Sequence, residues 1–159
     1  MTLPEDIYSQ RILELAAAVP RTARLAAPHA SATAHSKLCG STVTIDLAME
    51  GDVVIDYGQS VKACLLGQSA ASVMGREVIG SSAEELRAVG AAMRKMLKQD
   101  GPPPAGKWAD LAMLEPVRDY RARHASTLLV FDAVEDALAQ IEANRAAVAG
   151  AGLHSEEHV

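Results

Sequence analysis

The sequence predicts an α+β domain with one small antiparallel sheet and several helices. Residues 42 to 49 show the two-residue period of a strand, and capped stretches with helical apolar spacing occur elsewhere in the chain. The two faces of that strand are Val43, Ile45, Leu47 and Met49 on one side and Thr42, Thr44, Asp46 and Ala48 on the other. Only 3% of the residues are aromatic, so we expect a core of small aliphatic side chains and methionines, a composition that favours helices.

The predicted strand continues into a hairpin. Glu50, Gly51 and Asp52 have turn chemistry, and residues 53 to 57 resume extended structure. The preceding stretch, residues 27 to 37, is rich in Ala, Ser, Thr and His without a clear period. We therefore predict a loop there that leads into the first strand.

Four helices are predicted around the hairpin. An amphipathic helix spans residues 4 to about 19 and ends at Pro20. A small-residue helix follows Cys64, from residue 65 to 74, and ends in the glycine-containing stretch 75 to 80. The third helix starts at the capping box of residues 81 to 85 and closes with basic side chains.

The last helix is predicted from about Ser126 to Val148. Residues 100 to 106, with three prolines, break the chain before it. We expect residues 1 to 149 to form a single domain, since 159 residues suffice for one compact core, and residues 150 to 159 to form a disordered tail.

Charge and segment composition exclude several classes of protein. The formal net charge of -5 gives no field to hold a polyphosphate backbone, so no nucleic-acid partner is expected. No secretory signal and no run of about 18 apolar residues occurs, which excludes a membrane partner and makes the cytoplasm the expected compartment. The two cysteines are too few for a disulfide framework, and we expect them to act as thiols or metal ligands.

The two cysteines are placed symmetrically about the predicted turn. Cys39 lies twelve residues before Gly51, and Cys64 lies twelve residues after Asp52. The hairpin therefore brings both thiols to its open end, where antiparallel backbones lie about 5 Å apart. Two ligands of one tetrahedral metal ion can use that separation.

The surroundings of the cysteines suit an exposed site for soft ligands. Cys64 stands where a strand gives way to a helix, so free N–H groups and the helix dipole favour its thiolate. Gly40 follows Cys39 and leaves room for a cluster or a donor's persulfide. The alternative is that each cysteine is a small core residue, since free cysteine is often buried.

Histidine is the natural additional ligand, because imidazole and thiolate together suit zinc and iron–sulfur clusters. His124 stands at the mouth of the last helix and is the candidate, with a capping or surface role as the alternative. Two histidines lie in the unpatterned loop and two in the tail, where solvated side chains are expected; they are His29, His35, His154 and His158.

Several motifs follow one another in an order that is typical of a known protein family. These are Leu38-Cys39-Gly40, a Gly-Asp turn, Cys64 followed by the small-residue run 67 to 72, and Arg121-Ala122-Arg123-His124-Ala125-Ser126. Over about residues 7 to 140 the chain resembles the U-type iron–sulfur cluster assembly scaffolds, known as IscU, SufU and the N-terminal part of NifU. The resemblance implies a small antiparallel sheet with the helices packed on one face and the site at the open edge of the sheet.

The resemblance also implies a cofactor and partners. Members bind zinc or a transient [2Fe-2S] cluster on three cysteines and an aspartate, with a histidine beside the third cysteine in one branch. Cys39 matches the first cysteine and Cys64 the second. The implied partners are a cysteine desulfurase of the SufS or IscS type, apo iron–sulfur proteins and a second copy of the chain.

Two departures from the family pattern bear on the ligands. The aspartate two residues after the first cysteine is Ser41 here. The third cysteine becomes Ala125 in one alignment and Ser126 in another. The expected metal ligands are therefore Cys39, Cys64 and His124, with Ser41, Ser126 or water in a fourth position.

The function expected from these features is that of a scaffold-like, non-enzymatic protein that binds zinc or iron and sulfur and accepts sulfur from a desulfurase. Two alternatives are a metal-binding regulator of the desulfurase without scaffold activity and a metal-free interaction module. A zinc hydrolase is a further alternative, but it requires a general base near the metal. The hairpin places Glu50 at the far end and Asp46 well away, so no base is evident.

Overall fold

The computed structural model describes residues 8 to 157, with side chains through residue 150. Its helices and strands are α1 (Gln10–Ala17), β1 (Ala30–His35), β2 (Thr42–Glu50), β3 (Val53–Lys62), α2 (Leu65–Glu77), α3 (Ala83–Lys98) and α4 (His124–Glu157). Two 3₁₀ segments, Gly106–Asp119 and Arg121–Arg123, connect α3 to α4. The predicted α+β class, an antiparallel sheet with helices, is confirmed.

The sheet has three antiparallel strands in the order β1-β2-β3. The predicted hairpin is confirmed: β2 and β3 pair from Glu50 opposite Val53 to Thr42 opposite Lys62. Gly51 occupies the turn with φ of 60°, a conformation that favours glycine. A register shift beside Ala48 displaces the ladder by one residue without disrupting the open end.

Both faces of β2 are covered. The alternation predicted for residues 42 to 49 places Val43, Ile45 and Leu47 in the core. Asp46, on the opposite face, is also fully buried. Its carboxylate accepts hydrogen bonds from the Nε of Arg24 at 2.6 Å and from the backbone N–H of Leu25 at 3.0 Å. The segment before β1 is therefore fastened across the second face of the sheet.

The prediction of a loop over residues 27 to 37 is wrong for most of that range. Ala30–His35 forms β1, which pairs with β2 from Ala30 opposite Leu47 to His35 opposite Thr42. Only Ala30 and Ala32 of this strand are buried. Alanine is a poor strand former, so pairing with β2 and not intrinsic preference determines this strand.

The first three predicted helices are present. α1 begins at Gln10, where Ser9 caps it by accepting from the N–H of Ile12 at 3.3 Å. Residues 4 to 7 of its predicted range lie outside the described residues. α2 follows Cys64 and runs to Glu77, and α3 starts after Ser82.

α4 is longer than predicted at both ends. It begins at His124 and its backbone continues to Glu157, into the range for which we expected a disordered tail. Residues 158 and 159 lie outside the described residues. The division into one domain and a tail stays a prediction.

The core lies between the sheet and the helices. α4 packs on β1 and β2, while α2 packs on α1, β3 and α4. The 3₁₀ segment Gly106–Asp119 buries Trp108, Leu111 and Leu114 against α2 and α3. These packings fix the start of α4 beside the start of α2. Among residues 8 to 157, no helix is long and apolar enough to cross a membrane.

Candidate functional site

The two cysteines lie at the end of the hairpin that is remote from Gly51. The β2–β3 ladder ends at the pair Thr42 and Lys62. Cys39 lies in the loop three residues before this pair, and Cys64 lies two residues after it as the N-cap of α2. Cys39 is exposed and Cys64 is partly exposed, so neither is a sealed core residue.

Serine hydroxyls surround the thiol of Cys39. Its Sγ lies 2.9 Å from the Oγ of Ser41 and 3.6 Å from the Oγ of Ser36. Both serines are buried, and the loop is closed by a hydrogen bond from the N–H of Ser36 to the carbonyl of Ser41 at 2.9 Å. Hydrogen bonds to the thiolate, first from Ser41 and then from Ser36, lower the pKa of Cys39 to about 7. A substantial fraction of this thiol is therefore ionised near neutral pH.

Ser126 connects the two cysteines. The Sγ of Cys64 donates to the Oγ of Ser126 at 3.5 Å, and that hydroxyl donates to the carbonyl of Arg123 at 3.2 Å. The hydroxyl of Ser126 also makes the smallest of the contributions that lower the pKa of Cys39. Ser126 therefore contacts Cys64 directly and influences Cys39 more weakly.

The contact between α2 and α4 depends on Gly67. A Cβ at this position would lie 2.9 Å from the carbonyl oxygen of Ser126 and 2.8 Å from the Cβ of Ala63, both closer than real Cβ contacts. The absence of a side chain lets the first turn of α4 approach α2. This approach brings Ser126 to Cys64.

The structure distinguishes the two positions that the sequence left open for the third family cysteine. The side chain of Ser126 is buried and contacts the thiol of Cys64. Ala125 is exposed and lines an open cavity on the other side of the helix start, together with Leu97, Lys98, Asp100, Arg118, Arg121 and His124. Ser126 therefore occupies the position facing the two cysteines.

His124 does not join the thiols in this structure. Its ring is buried, and its Nε2 lies 3.0 Å from the carbonyl oxygen of Val117 and 3.1 Å from that of Arg118. Carbonyl oxygens only accept, so Nε2 carries the hydrogen and is not available to a metal. As a metal ligand His124 stays a prediction, and the arrangement seen here gives it the role of joining α4 to the 3₁₀ segment.

The donor set does not fit a complete metal centre in one chain. Among the described residues, no three His, Cys, Asp or Glu side chains are arranged to hold a metal ion. The position two residues after Cys39 offers only the hydroxyl of Ser41, and the position facing Cys64 only that of Ser126. Neutral hydroxyls replace anionic donors at both positions, and a [2Fe-2S] cluster takes four thiolates or their equivalents.

Two exposed leucines flank the thiols. Leu38 precedes Cys39 and has 76% of its surface exposed, and Leu65 follows Cys64 with 38% exposed. Both apolar side chains therefore lie on the protein surface next to the thiols. The sequence reasoning identified Cys39 and Cys64 but missed Ser36, because a serine three residues before a cysteine carries no recognisable signal.

The chain is similar in sequence and fold to known proteins. No family model matches it. It is 58% identical to the NifU-like protein (N-terminal) of Brucella abortus, described as nitrogen-fixing, whose crystal structure superposes with a TM-score of 0.87 over 89% of this chain and 98% of that one. It is also 27% identical to the iron–sulfur cluster assembly scaffold protein IscU of Thermotoga maritima. This match spans 103 residues, which are 65% of this chain and 72% of the relative.

A more distant structure shares the fold. The putative iron–sulfur cluster assembly scaffold protein of the SUF system from Fervidobacterium islandicum is 22% identical, with a TM-score of 0.75 over 83% of this chain and 96% of that one. The strong likeness to the Brucella protein spans nearly all of that relative and includes the sheet and helices described above. This chain therefore belongs to the U-type scaffold family that comprises IscU, SufU and the N-terminal part of NifU.

Proposed function

We propose that this protein takes part in iron–sulfur cluster assembly as a scaffold-like acceptor. Its Cys39 receives sulfur from a cysteine desulfurase. The observation that carries the proposal is the state of this thiol. Cys39 is exposed, and the hydroxyls of Ser41 and Ser36 lower its pKa to about 7. The thiolate is the nucleophile in sulfur exchange, and attack is most efficient when its pKa is near the ambient pH.

The transfer is a thiol–persulfide exchange. The thiolate of Cys39 attacks the terminal sulfur of the persulfide on the desulfurase, a new sulfur–sulfur bond forms at Cys39, and the bond to the enzyme's cysteine breaks. The enzyme's thiolate leaves with the electron pair of the broken bond. Cys39 is consumed once per sulfur received, so the protein is an acceptor and not an enzyme in this step.

Iron and sulfur are the proposed cargo of the site, with Cys39 and Cys64 as the thiolate ligands. The residue set in one chain provides half of the thiolates of a [2Fe-2S] cluster. Completion by Ser41 and His124, as the family resemblance implies, requires His124 to move, because Cys39, Cys64 and His124 form no metal-binding group among the described residues. Completion by a second copy or by the apo protein that receives the cluster does not.

A second candidate function is regulation of the desulfurase without scaffold activity. Ser41 and Ser126 favour it, because both occupy ligand positions without offering a charge or a thiol. Such a protein would occupy the desulfurase through the exposed Leu38 and Leu65 and slow its turnover.

The test is sulfur loading by a desulfurase of the SufS or IscS type supplied with cysteine, under anaerobic conditions. In samples quenched early in the reaction, we expect the chain to have gained one sulfur atom in mass, with the sulfur mapped to Cys39 by peptide analysis and absent from Cys39→Ser. The matched variant Cys64→Ser keeps the Cys39 adduct. Slower desulfurase turnover without any sulfur gained would establish the regulator instead.

A further inference from the structure

We propose that Cys64 is a resolving thiol, which releases the sulfur held on Cys39 as sulfide and leaves a Cys39–Cys64 disulfide. This activity rests on the proposed function, because it needs sulfur on Cys39. It would give the chain a source of electrons of its own, since the sulfur in a cluster is sulfide and the sulfur that arrives on a persulfide is more oxidised.

The first support is that both cysteines lie at the same end of the hairpin. Cys39 and Cys64 leave the ladder at the same end, just beyond the pair Thr42 and Lys62. The hydroxyl of Ser126 lies 3.5 Å from the sulfur of Cys64 and also contributes to the lowered pKa of Cys39, so both thiols lie near the start of α4.

The second support is the different setting of each thiol. Cys39 is the exposed one, open to a large donor. Cys64 is less exposed and is the N-cap of the 13-residue helix α2, where its side chain makes no capping hydrogen bond. Cys39 is therefore suited to accept sulfur and Cys64 to attack next.

The third support is the absence of another nucleophile. The chain has two cysteines, and the position facing Cys64 is held by Ser126. A serine hydroxyl is a far weaker nucleophile toward sulfur than a thiolate, because it is not ionised near neutral pH. Cys64 is therefore the one other thiol of the sequence that can attack a persulfide on Cys39.

The step balances without an added reagent. The thiolate of Cys64 attacks the Sγ of Cys39, the Sγ–Sγ bond forms, and the bond from Cys39 to the outer sulfur breaks. The outer sulfur leaves as HS⁻ with the bonding electron pair and its proton. That sulfur is reduced by two electrons and the pair of cysteine sulfurs is oxidised by two. A thiol reductant, such as a dithiol protein, is required afterwards to restore both cysteines.

The experiment uses the full chain, loaded anaerobically with inorganic polysulfide and freed of excess reagent without any thiol. Free sulfide and intact mass are followed over time. We expect the wild-type chain to release about one sulfide per chain and to end as the internal disulfide. Release should be at least about tenfold slower in Cys64→Ser and Cys64→Ala, because the intramolecular attack is lost.

The controls separate this inference from the function on which it rests. A persulfide that forms on Cys39 of Cys64→Ser and equally persists in the wild-type chain overturns the resolving role alone. Absence of any persulfide on Cys39 in all three proteins overturns both proposals. Release that accelerates with protein concentration and yields disulfide-linked dimers also overturns the resolving role, since it would come from attack between chains.

Discussion

The Oγ of Ser126 lies 3.5 Å from the Sγ of Cys64, and this contact joins the start of α4 to the start of α2. The neighbouring residue, Ala125, is exposed on the opposite side of the helix start. Position 126 therefore faces the thiol of Cys64. Position 125, one residue earlier on α4, faces solvent and the cavity lined by Lys98 and Arg121.

A cysteine in place of Ser126 should create a zinc site. The Ser126→Cys variant would place a third thiolate beside Cys39 and Cys64, and three protein ligands with one open position suffice for a tetrahedral zinc ion. We expect it to retain about one zinc per chain through dialysis, measured by metal analysis and by competition with a chromogenic chelator. The wild-type chain, with two thiols, should lose its zinc to the same chelator.

The matched control is Ala125→Cys, which adds the same thiol one residue earlier. We expect it to bind zinc no better than the wild-type chain, because its thiol would line the cavity on the other side of the helix start, away from the thiol of Cys64. Tight zinc binding by Ala125→Cys and not by Ser126→Cys would contradict the placement of Ser126 at the site.

The hairpin and the placement of both cysteines at its open end could be predicted from the sequence. The period over residues 42 to 49 and the turn at Gly51 determine the register, and the register brings Cys39 and Cys64 to one end. The strand Ala30–His35 could not be predicted from the sequence. Its alternating alanine and polar residues have little strand preference, and they become a strand by pairing with β2.

The contacts made by residues 124 to 126 could not be predicted from the sequence either. Whether Ala125 or Ser126 faces the thiols depends on where α4 begins, and helix ends are poorly specified by local sequence. The position of His124 depends on the 3₁₀ segment, whose carbonyls at Val117 and Arg118 hold the ring. Nothing in the local pattern around this histidine indicates those two contacts.

The reactivity of Cys39 should depend on pH with a midpoint near neutrality. Its pKa is lowered to about 7, first by Ser41 and then by Ser36, so the thiolate fraction rises as the pH increases through about 7. We expect the rate of alkylation by iodoacetamide, measured on Cys64→Ser to isolate Cys39, to follow that rise. Ser41→Ala should move the midpoint upward, because the thiolate loses its closest hydrogen bond at 2.9 Å. An unchanged midpoint in Ser41→Ala would contradict the assigned cause.

Gly67 should be intolerant of even a methyl group. A Cβ there would approach the carbonyl oxygen of Ser126 to 2.9 Å, and neither helix can give way without disturbing the core. We expect Gly67→Ala to lower the free energy of unfolding by about 1–3 kcal/mol, the usual cost of overpacking, as measured by urea denaturation.

Gly150→Ala is the helical control for that substitution. A Cβ at residue 150 meets nothing within 4 Å, so we expect no loss of stability and a gain of up to about 1 kcal/mol from the better helix propensity of alanine. Equal effects of the two substitutions would show that the contact between Gly67 and Ser126 does not constrain the packing of α2 on α4.

Leu38 should contribute to docking of the sulfur donor and not to the chemistry of the thiol. It is 76% exposed and directly precedes Cys39, so a protein that delivers sulfur to Cys39 must approach over it. We expect Leu38→Glu to slow sulfur transfer from the desulfurase by roughly tenfold, since burying an unpaired charge at an apolar contact is costly. Alkylation of Cys39 by a small reagent should change little.

Val148→Glu, at a similarly exposed apolar position (73%) on α4, should leave sulfur transfer unchanged. Equal slowing by both variants would indicate a nonspecific charge effect and remove Leu38 from the docking surface.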